Sequence, residues 1–446
     1  MASDLISIAR SGTRAARVAL DVTANNIANA ASDGYVRRSA SLAEIAVNSV
    51  STTPAAINLA GVSVTGVVRN ADAFRQSEVR RTGADAARAD AEVQGLENIE
   101  AAIEQTGVYD SIVDFEAAFQ QLLSDPTDGS LRAAALEKSR NLAETFNVTA
   151  QSLDAVGEGL RFEAQDGVDN INRIAGELAR VNLRLTRSAD QSSDQTSLLD
   201  QRDKLLEDLS GYTDISTSFD SGTGVVTVRL GGSSGSALVD GGSSGTLAVS
   251  SATDGTLSFT LDTASITLSS GALAGKAQAL TQLAASRANL DAIAASIVTT
   301  VNGAQANGVD LAGNAGQALF AGTTASDMAL VASSGSAIAT APAGAEANSR
   351  DTSNLTALRS ALASADPAGA MDSVLFQISS AVAARQVTRD ALASIASTAR
   401  VALQAQAGVD LDQEAVNLMR FQQAFQANGR VIQVASDIFD SILSIR

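Results

Sequence analysis

The C-terminal stretch, residues 409 to 445, constrains the fold more tightly than any other. Leu411, Leu418, Phe425, Ile432 and Phe439 fall seven apart without a break, and Phe421, Ala435 and Ile442 lie three residues beyond Leu418, Ile432 and Phe439. A heptad held over about five repeats is the signature of a coiled-coil seam. It serves either a core helix within one chain or a bundle between subunits. The apolar side chains on offer are few against the entropy of ordering so long a helix. The N-terminal helix, the partner nearest to hand, is rich in Ala and poor in large side chains. Both ends are therefore expected to be poorly ordered in a free monomer and to order against other subunits.

Residues 3 to 31 read as that N-terminal helix. Leu5, Ile8, Ala15, Ala19 or Leu20, Thr23 and Ile27 recur at spacings of three, four or seven. The helix runs toward Ser32-Asp33-Gly34-Tyr35, where Gly34 suits the left-handed residue that closes a helix and Tyr35 is a candidate anchor. Within it, LDVTANNIANAASDGY puts Asn25, Asn26 and Asn29 into five residues. Asparagine is a poor helix former because its amide competes for backbone hydrogen bonds. Asn25 and Asn29 are one turn apart and share a face. A buried asparagine in a bundle costs stability but fixes register and partner, whereas at a frayed helix end it is ordinary. The expectation is that these amides set the stagger between packed terminal helices.

Between the two ends the pattern predicts helices at 72–105, 109–124, 129–157, 160–189 and 192–209. Asp125, Pro126, Asp128 and Gly129 supply the turn before the third. Residues 36–70 look extended and loop-like, with Pro54 and the alternating run GVSVTGVVR. From 213 to 270, VVTVRL, TLAVS, TLSFTL and SITLS read as short strands between Gly/Ser turns. Helix resumes at 272–302, a Gly/Ala/Ser-rich stretch covers 303–350, and helices return at 354–363 and 368–405. The expected fold class is mainly α with a small β portion. Paired N- and C-terminal helices form a coiled-coil inner domain, 1–45 plus 406–446. A helical-bundle body takes 46–212 plus 271–405, and a β-rich subdomain takes 213–270.

Chemistry is bounded by what the chain lacks. It has no cysteine and no histidine, which removes thiolate nucleophiles, disulfides, and the commonest general base and metal ligand. The pentapeptide GGSSG occurs twice, at 231–235 and 241–245, and matches a nucleophile elbow. That elbow needs a histidine and a strand-to-helix context, so the flexible-turn reading stands. GALAGK, 271–276, is one residue short of a phosphate loop and is followed by Ala277, so it reads as a helix start. Asp125 and Asp128 would belong to a calcium loop only with a Glu where Leu136 stands. No enzyme, cofactor or metal is expected. With 31 basic and 49 acidic residues, a net charge of −18 and no long basic run, nucleic acid and anionic membrane surfaces are poor partners. No apolar run reaches the ~18 residues of a membrane span, and MASDLISIARSG is not a secretory signal peptide. Composition by itself points to a soluble cytoplasmic protein.

At ANNIANAASDGY the chain resembles the bacterial flagellar axial proteins of rod, hook and hook-filament junction. LDQEAVNLMRFQQAFQANGRVIQVASDIFDSIL resembles their C-terminal helix. The interior segment ADAEVQGLENIEAAIEQTGVYDSIVDFEAAFQQLLSDPTDGSLRAAALEKSRNLAETFN, with SLLDQRDKLLEDLS and VNGAQANGVDLAGNAGQALF, is similar to the FlgK type of hook-associated protein. The resemblance implies a structural role at the junction of hook and filament, with the terminal helices paired as a tube lining. It implies a helical homo-oligomer that contacts the hook protein and a second junction protein. It also implies export through the flagellar type III apparatus with a chaperone at the C-terminal region, and hence an extracellular location without a cleavable signal peptide. The subunit-interface residues it implies are Leu5, Ile8, Asn25, Asn26, Asn29, Gly34 and Tyr35, with Leu411, Leu418, Phe421, Phe425, Asn428, Ile432 and Phe439. The large variable outer domain common in the family looks absent, since about 50 residues separate Phe320 from the final helices. Alternatives are a hook or distal rod protein, or a secreted surface-binding adhesin using the β region, which has only Phe219 and Phe259 as aromatic anchors.

Overall fold

The computed structural model describes residues 2–32, 34–47 and 58–444. Its helices are α1 (Ala2–Ala28), α2 (Ala73–Glu104), α3 (Val108–Leu122), α4 (Gly129–Leu185), α5 (Ser193–Tyr212), α6 (Ala272–Ala306), α7 (Ser353–Ala365), α8 (Pro367–Ala407) and α9 (Leu411–Ser444). The chain is thus mainly α. Side-chain caps begin several of these helices. The Asp72 carboxylate accepts from the backbone N–H groups of Phe74 and Arg75, Asp128 from Ser130 and Leu131, and the Ser192 hydroxyl from Gln195, satisfying donors that a helix N-terminus leaves open.

Helix α4 departs from expectation. It runs unbroken for 57 residues, where two helices were predicted on either side of Gly157-Glu158-Gly159. Gly157 serves packing instead of a break: a Cβ there would stand 2.9 Å from Leu283 of α6. Glycine costs a helix about 1 kcal/mol, which the apolar face of so long a helix offsets. Two cores lie along α4. Its first half packs with α2, α3, α6, α7 and α8 around Phe115, Phe119, Phe146 and Phe320, all fully buried. Its second half packs with α5, the start of α6 and the β-rich segment.

Residues 36–70, expected to be loop-like, contain a long antiparallel hairpin of β1 (Arg38–Val47) and β2 (Asn58–Arg69). Arg38 stands opposite Arg69, and bulges fall between Ser41 and Leu42 and between Glu44 and Ala46. Pro54, in the connection, lies outside the described residues. The run GVSVTGVVR forms most of β2. The hairpin leans on α1, where the Ser11 hydroxyl accepts from the Val62 N–H at 3.0 Å.

The β-rich segment makes two small antiparallel sheets. One has β3 (Ser216–Phe219), β4 (Val226–Arg229), β5 (Ala237–Asp240) and β6 (Ser243–Ser244) in sequence order, and the other has β7 (Leu247–Ser251), β8 (Leu257–Leu261) and β9 (Ala264–Ile266). Val226, Val228, Leu238 and Val239 are fully buried toward the second core. One GGSSG copy lies between β4 and β5, and the other follows β5 directly and contains the two residues of β6. GALAGK opens α6, with Gly271 at φ +83°.

Helices α1 and α9 pack against each other in antiparallel register. Asn26 meets Glu414, and two heptads away Gly12 meets Asn428. The C-terminal end of α1 differs from expectation: it stops at Ala28 and is followed by turns, so Gly34, at φ +76°, bends the link into β1 and does not cap the helix.

Candidate assembly interface and elbow

The predicted heptad divides in the structure. Leu418 and Ile432 are half-buried, whereas Leu411, Phe425 and Phe439 are exposed, at 54%, 40% and 50%. The ridge that meets α1 is another set seven apart: Glu414, Phe421, Asn428 and Ala435, with Glu414 and Ala435 buried and Phe421 and Asn428 half-buried. The reason lies in α1, whose buried face is Ala9, Ala15, Ala16, Ala19, Val22, Thr23 and Asn26. Side chains this small let the helices approach closely. A Cβ on Gly12 would come within 2.5 Å of Oδ1 of Asn428. Small and polar residues therefore fill the inner seam, and the large apolar ones are left outside. Val416, Met419, Val431, Val434 and Ile438 of α9 are exposed as well, as are Leu5 and Ile8 of α1. The side chain of Ile442 lies outside the described residues. An exposed apolar surface this extensive marks a contact site.

The asparagines sort differently from their expected roles. The amides of Asn25 and Asn29 are turned onto their own chain: Asn25 donates to the Asp21 carbonyl at 2.8 Å and Asn29 to the Asn25 carbonyl at 2.9 Å. Asn26 is the buried one, at 1% exposure. Its Nδ2 donates to the Arg38 carbonyl at 2.9 Å and to Glu414 Oε2 at 3.2 Å, while its Oδ1 accepts from the Tyr35 hydroxyl at 2.9 Å and from the Arg38 N–H at 3.0 Å. One amide thus joins α1, the entry to β1 and the first turn of α9. Arg37 completes the latch with an ion pair to Glu414 at 2.8 Å. Burial raises the Tyr35 pKa against the opposing pull of Arg38, so the phenol stays a donor.

Below the latch, the base of the hairpin is tied to α5 by charge. Arg38 and Arg69 both pair with Asp200 at 2.7 Å. Arg69 also reaches Asp203 at 2.8 Å, and Arg202 reaches the same carboxylate at 2.6 Å. Gln76 of α2 donates to Asp203 at 2.9 Å. Burial works to raise the Asp203 pKa, but Arg202 and Arg69 together outweigh it and hold the carboxyl below its ordinary range. This network is an elbow between the terminal helix pair and the body. Beside it opens a cleft of about 360 Å³, bounded by residues 30–32 and 34–36, α2, α5 and the end of α8.

Sequence reasoning named Asn26, Tyr35, Gly34 and the terminal ridges but missed Arg37, Arg69, Arg80, Asp200, Asp203 and Glu414. Glu414 carried one signal: it heads a seven-residue series through Phe421, Asn428 and Ala435. The others are ordinary charges in a charged chain, and only contact across more than a hundred residues of sequence brings them together. No group of three or more metal-ligating side chains gathers among the described residues, and no described helix is long and apolar enough to cross a membrane.

Residues 93–320 match the family model of the flagellar hook-associated protein FlgK helical domain. Residues 6–35 match that of the flagella basal body rod protein, and 404–445 that of the flagellar basal body rod FlgEFG protein C-terminal region. The flagellar hook-associated protein 1 of Bacillus subtilis is 28% identical over 242 residues, covering 53% of this chain and 48% of that protein. The Salmonella typhimurium protein of the same name is 30% identical over 234 residues, covering 51% of this chain and 42% of that one. The chain therefore spans about half the length of these relatives. The flagellar hook junction protein FlgK from Burkholderia pseudomallei superposes with a TM-score of 0.45 at 24% identity, over 54% of this chain and 46% of that one. Because the helical-domain model alone takes in just over half of the 446 residues, the chain belongs to the FlgK family of flagellar hook-associated proteins.

Proposed function

We propose that the protein is a structural, non-enzymic subunit of the bacterial flagellum that builds the junction between hook and filament. It assembles through α1 and α9 into a helical tube. The observation that carries this reading is the outward apolar ridge Leu411, Phe425 and Phe439, accompanied by Leu5 and Ile8, on a helix pair whose inner seam is already filled. Repeating heterologous contacts of such a ridge generate a tube or filament. The partners are further copies of the chain, the hook protein on one side and a second junction protein on the other. Passage to the cell exterior runs through the flagellar type III apparatus, with an export chaperone on the C-terminal region. The subunit interface comprises Leu5, Ile8, Leu411, Leu418, Phe425, Ile432 and Phe439 directly. Asn26, Gly34, Tyr35, Phe421 and Asn428 act by shaping the helix pair, and Asn25 and Asn29 lie on its rim. Residues 1–45 with 406–446 form the tube-lining domain, 46–212 with 271–405 the body, and 213–270 its β-rich subdomain.

Electron microscopy of cells lacking the gene tests this. Hooks without filaments, with flagellin shed into the medium, are the expected result. Missing hooks would move the protein to the rod or hook. Normal filaments would refute an axial role and leave surface binding to be tested.

A further inference from the structure

The apolar ridge leaves the cleft at the elbow unexplained, and the cleft holds an unusual residue. Arg80 is 6% exposed, lines the cleft, and has neither a hydrogen bond nor an ion pair to any described residue. The nearby carboxylates are engaged elsewhere. Asp203 receives Arg69, Arg202 and Gln76, and Glu207 receives Arg400 at 2.8 Å. A guanidinium presents five N–H donors in a fixed plane, and those of Arg80 open onto the cleft, where an acceptor can reach them.

We propose that this cleft is a docking site for a carboxylate side chain of a second copy of the chain, received by Arg80. This rests on the reading that copies assemble through their terminal helices. A carboxylate matches the guanidinium fork with two parallel hydrogen bonds, which neither a hydroxyl nor a backbone carbonyl can do. Three cations, Arg80, Lys204 and Arg400, line the cleft against two carboxylates, Asp203 and Glu207, while a second copy carries a net charge of −18 and 49 acidic residues. The position is right as well. Val36, Ala407 and Val409 line the cleft, so it lies where α1 has ended and α9 begins. A space of about 360 Å³ takes a side chain with its flanking backbone and not a folded element. The carboxylate would brace the angle between terminal pair and body in the assembled state.

The test uses the full chain as the sole copy in flagellated cells. Leu403, which lines the cleft, is replaced by p-benzoylphenylalanine, and isolated flagella are irradiated. A crosslinked dimer of the chain, with the captured peptide containing Asp or Glu, is expected. Capture of a different protein, capture only within the same chain, or no crosslink in assembled flagella overturns the proposal. In parallel, Arg80→Gln should keep the helical content seen by circular dichroism and lower incorporation at least tenfold. Incorporation at the unsubstituted level overturns the proposal. Should Arg80→Gln fail to fold, the crosslink decides. Phe425→Ser separates the two readings. If it blocks incorporation while Arg80→Gln assembles freely, the cleft proposal alone has failed. If both assemble freely, the assembly reading has failed with it.

Discussion

Helix α4 and helix α9 are both long and both carry regular apolar residues, yet they bury them differently. Around α4, side chains as large as Phe119, Phe146 and Leu153 are sealed between several helices. Helix α9 has α1 as its main partner, a helix lined with alanine, and its own large residues face outward. A large side chain reaches full burial only when it is covered from several directions. A pair of helices covers one stripe of each, whereas a bundle covers most of the circumference. The body therefore seals its large side chains within the chain, whereas the terminal pair leaves its own open, and in the assembly proposed above neighbouring subunits cover them. In a free monomer, amides of 2–28 and 411–444 should exchange readily while those of α4 stay protected, since local opening costs least where few apolar contacts are lost.

The largest effect expected from this contrast is that of Phe425→Ser. It should abolish incorporation into flagella and leave the thermal unfolding of the body unchanged, because the ring is exposed in the single chain. Normal incorporation, read by immunolabelling of flagella, would remove the outer ridge from the interface.

Next in size is Asp203→Ala at the elbow. Removing one partner of a buried ion network costs about 3–5 kcal/mol, and a urea titration should show it. The same carboxyl makes acid a probe of the elbow. Its folded pKa lies below the ordinary value, so its contribution is fully present above the usual carboxylate range and fades as pH falls through the folded value. Acid should therefore weaken the unsubstituted protein more than Asp203→Ala, and equal sensitivity would mean that Asp203 does not carry the coupling.

Asn26→Ala is expected to cost about 1–3 kcal/mol, since it leaves the Tyr35 hydroxyl and the Arg38 N–H without their acceptor and takes one donor from Glu414. The loss should appear as faster exchange in α1 and in the first turn of α9, with the body unaffected. A body that loosens equally would mean the two regions are not separable. Smallest is Asn29→Leu, whose amide serves only its own chain. Monomer stability should change by no more than about 0.5 kcal/mol, and impaired incorporation would then locate Asn29 on the outer contact. If both are unchanged, the residue has no part in register.

Much of the fold was legible in periodicity. The three-to-four spacing marks the helices of the body, and alternation with Gly/Ser turns marks 213–270. The split of α4 was misread because Gly157 was judged by local propensity, while its reason lies 126 residues away at Leu283. The hairpin was passed over because its strands alternate only partly and its connection is long. At the candidate interface, the heptad residues were legible as a group but their facing was not. Seven-residue spacing admits two ridges, three residues apart, and only the size of the partner's side chains chooses between them.

The sequence by itself determined that this chain has helical ends with a coiled-coil seam, a helical interior with a β insertion, and no histidine or cysteine for catalysis. These are local or compositional properties, carried by residues a few positions apart. The tertiary structure alone decided which ridge of α9 stays open, that Asn26 and not Asn25 or Asn29 joins the two ends, and that Arg80 lies buried without a partner beside a filled ion network. Each of these depends on residues far apart in sequence meeting at contact distance, where small side chains, buried charges and amide geometry compete for the same space.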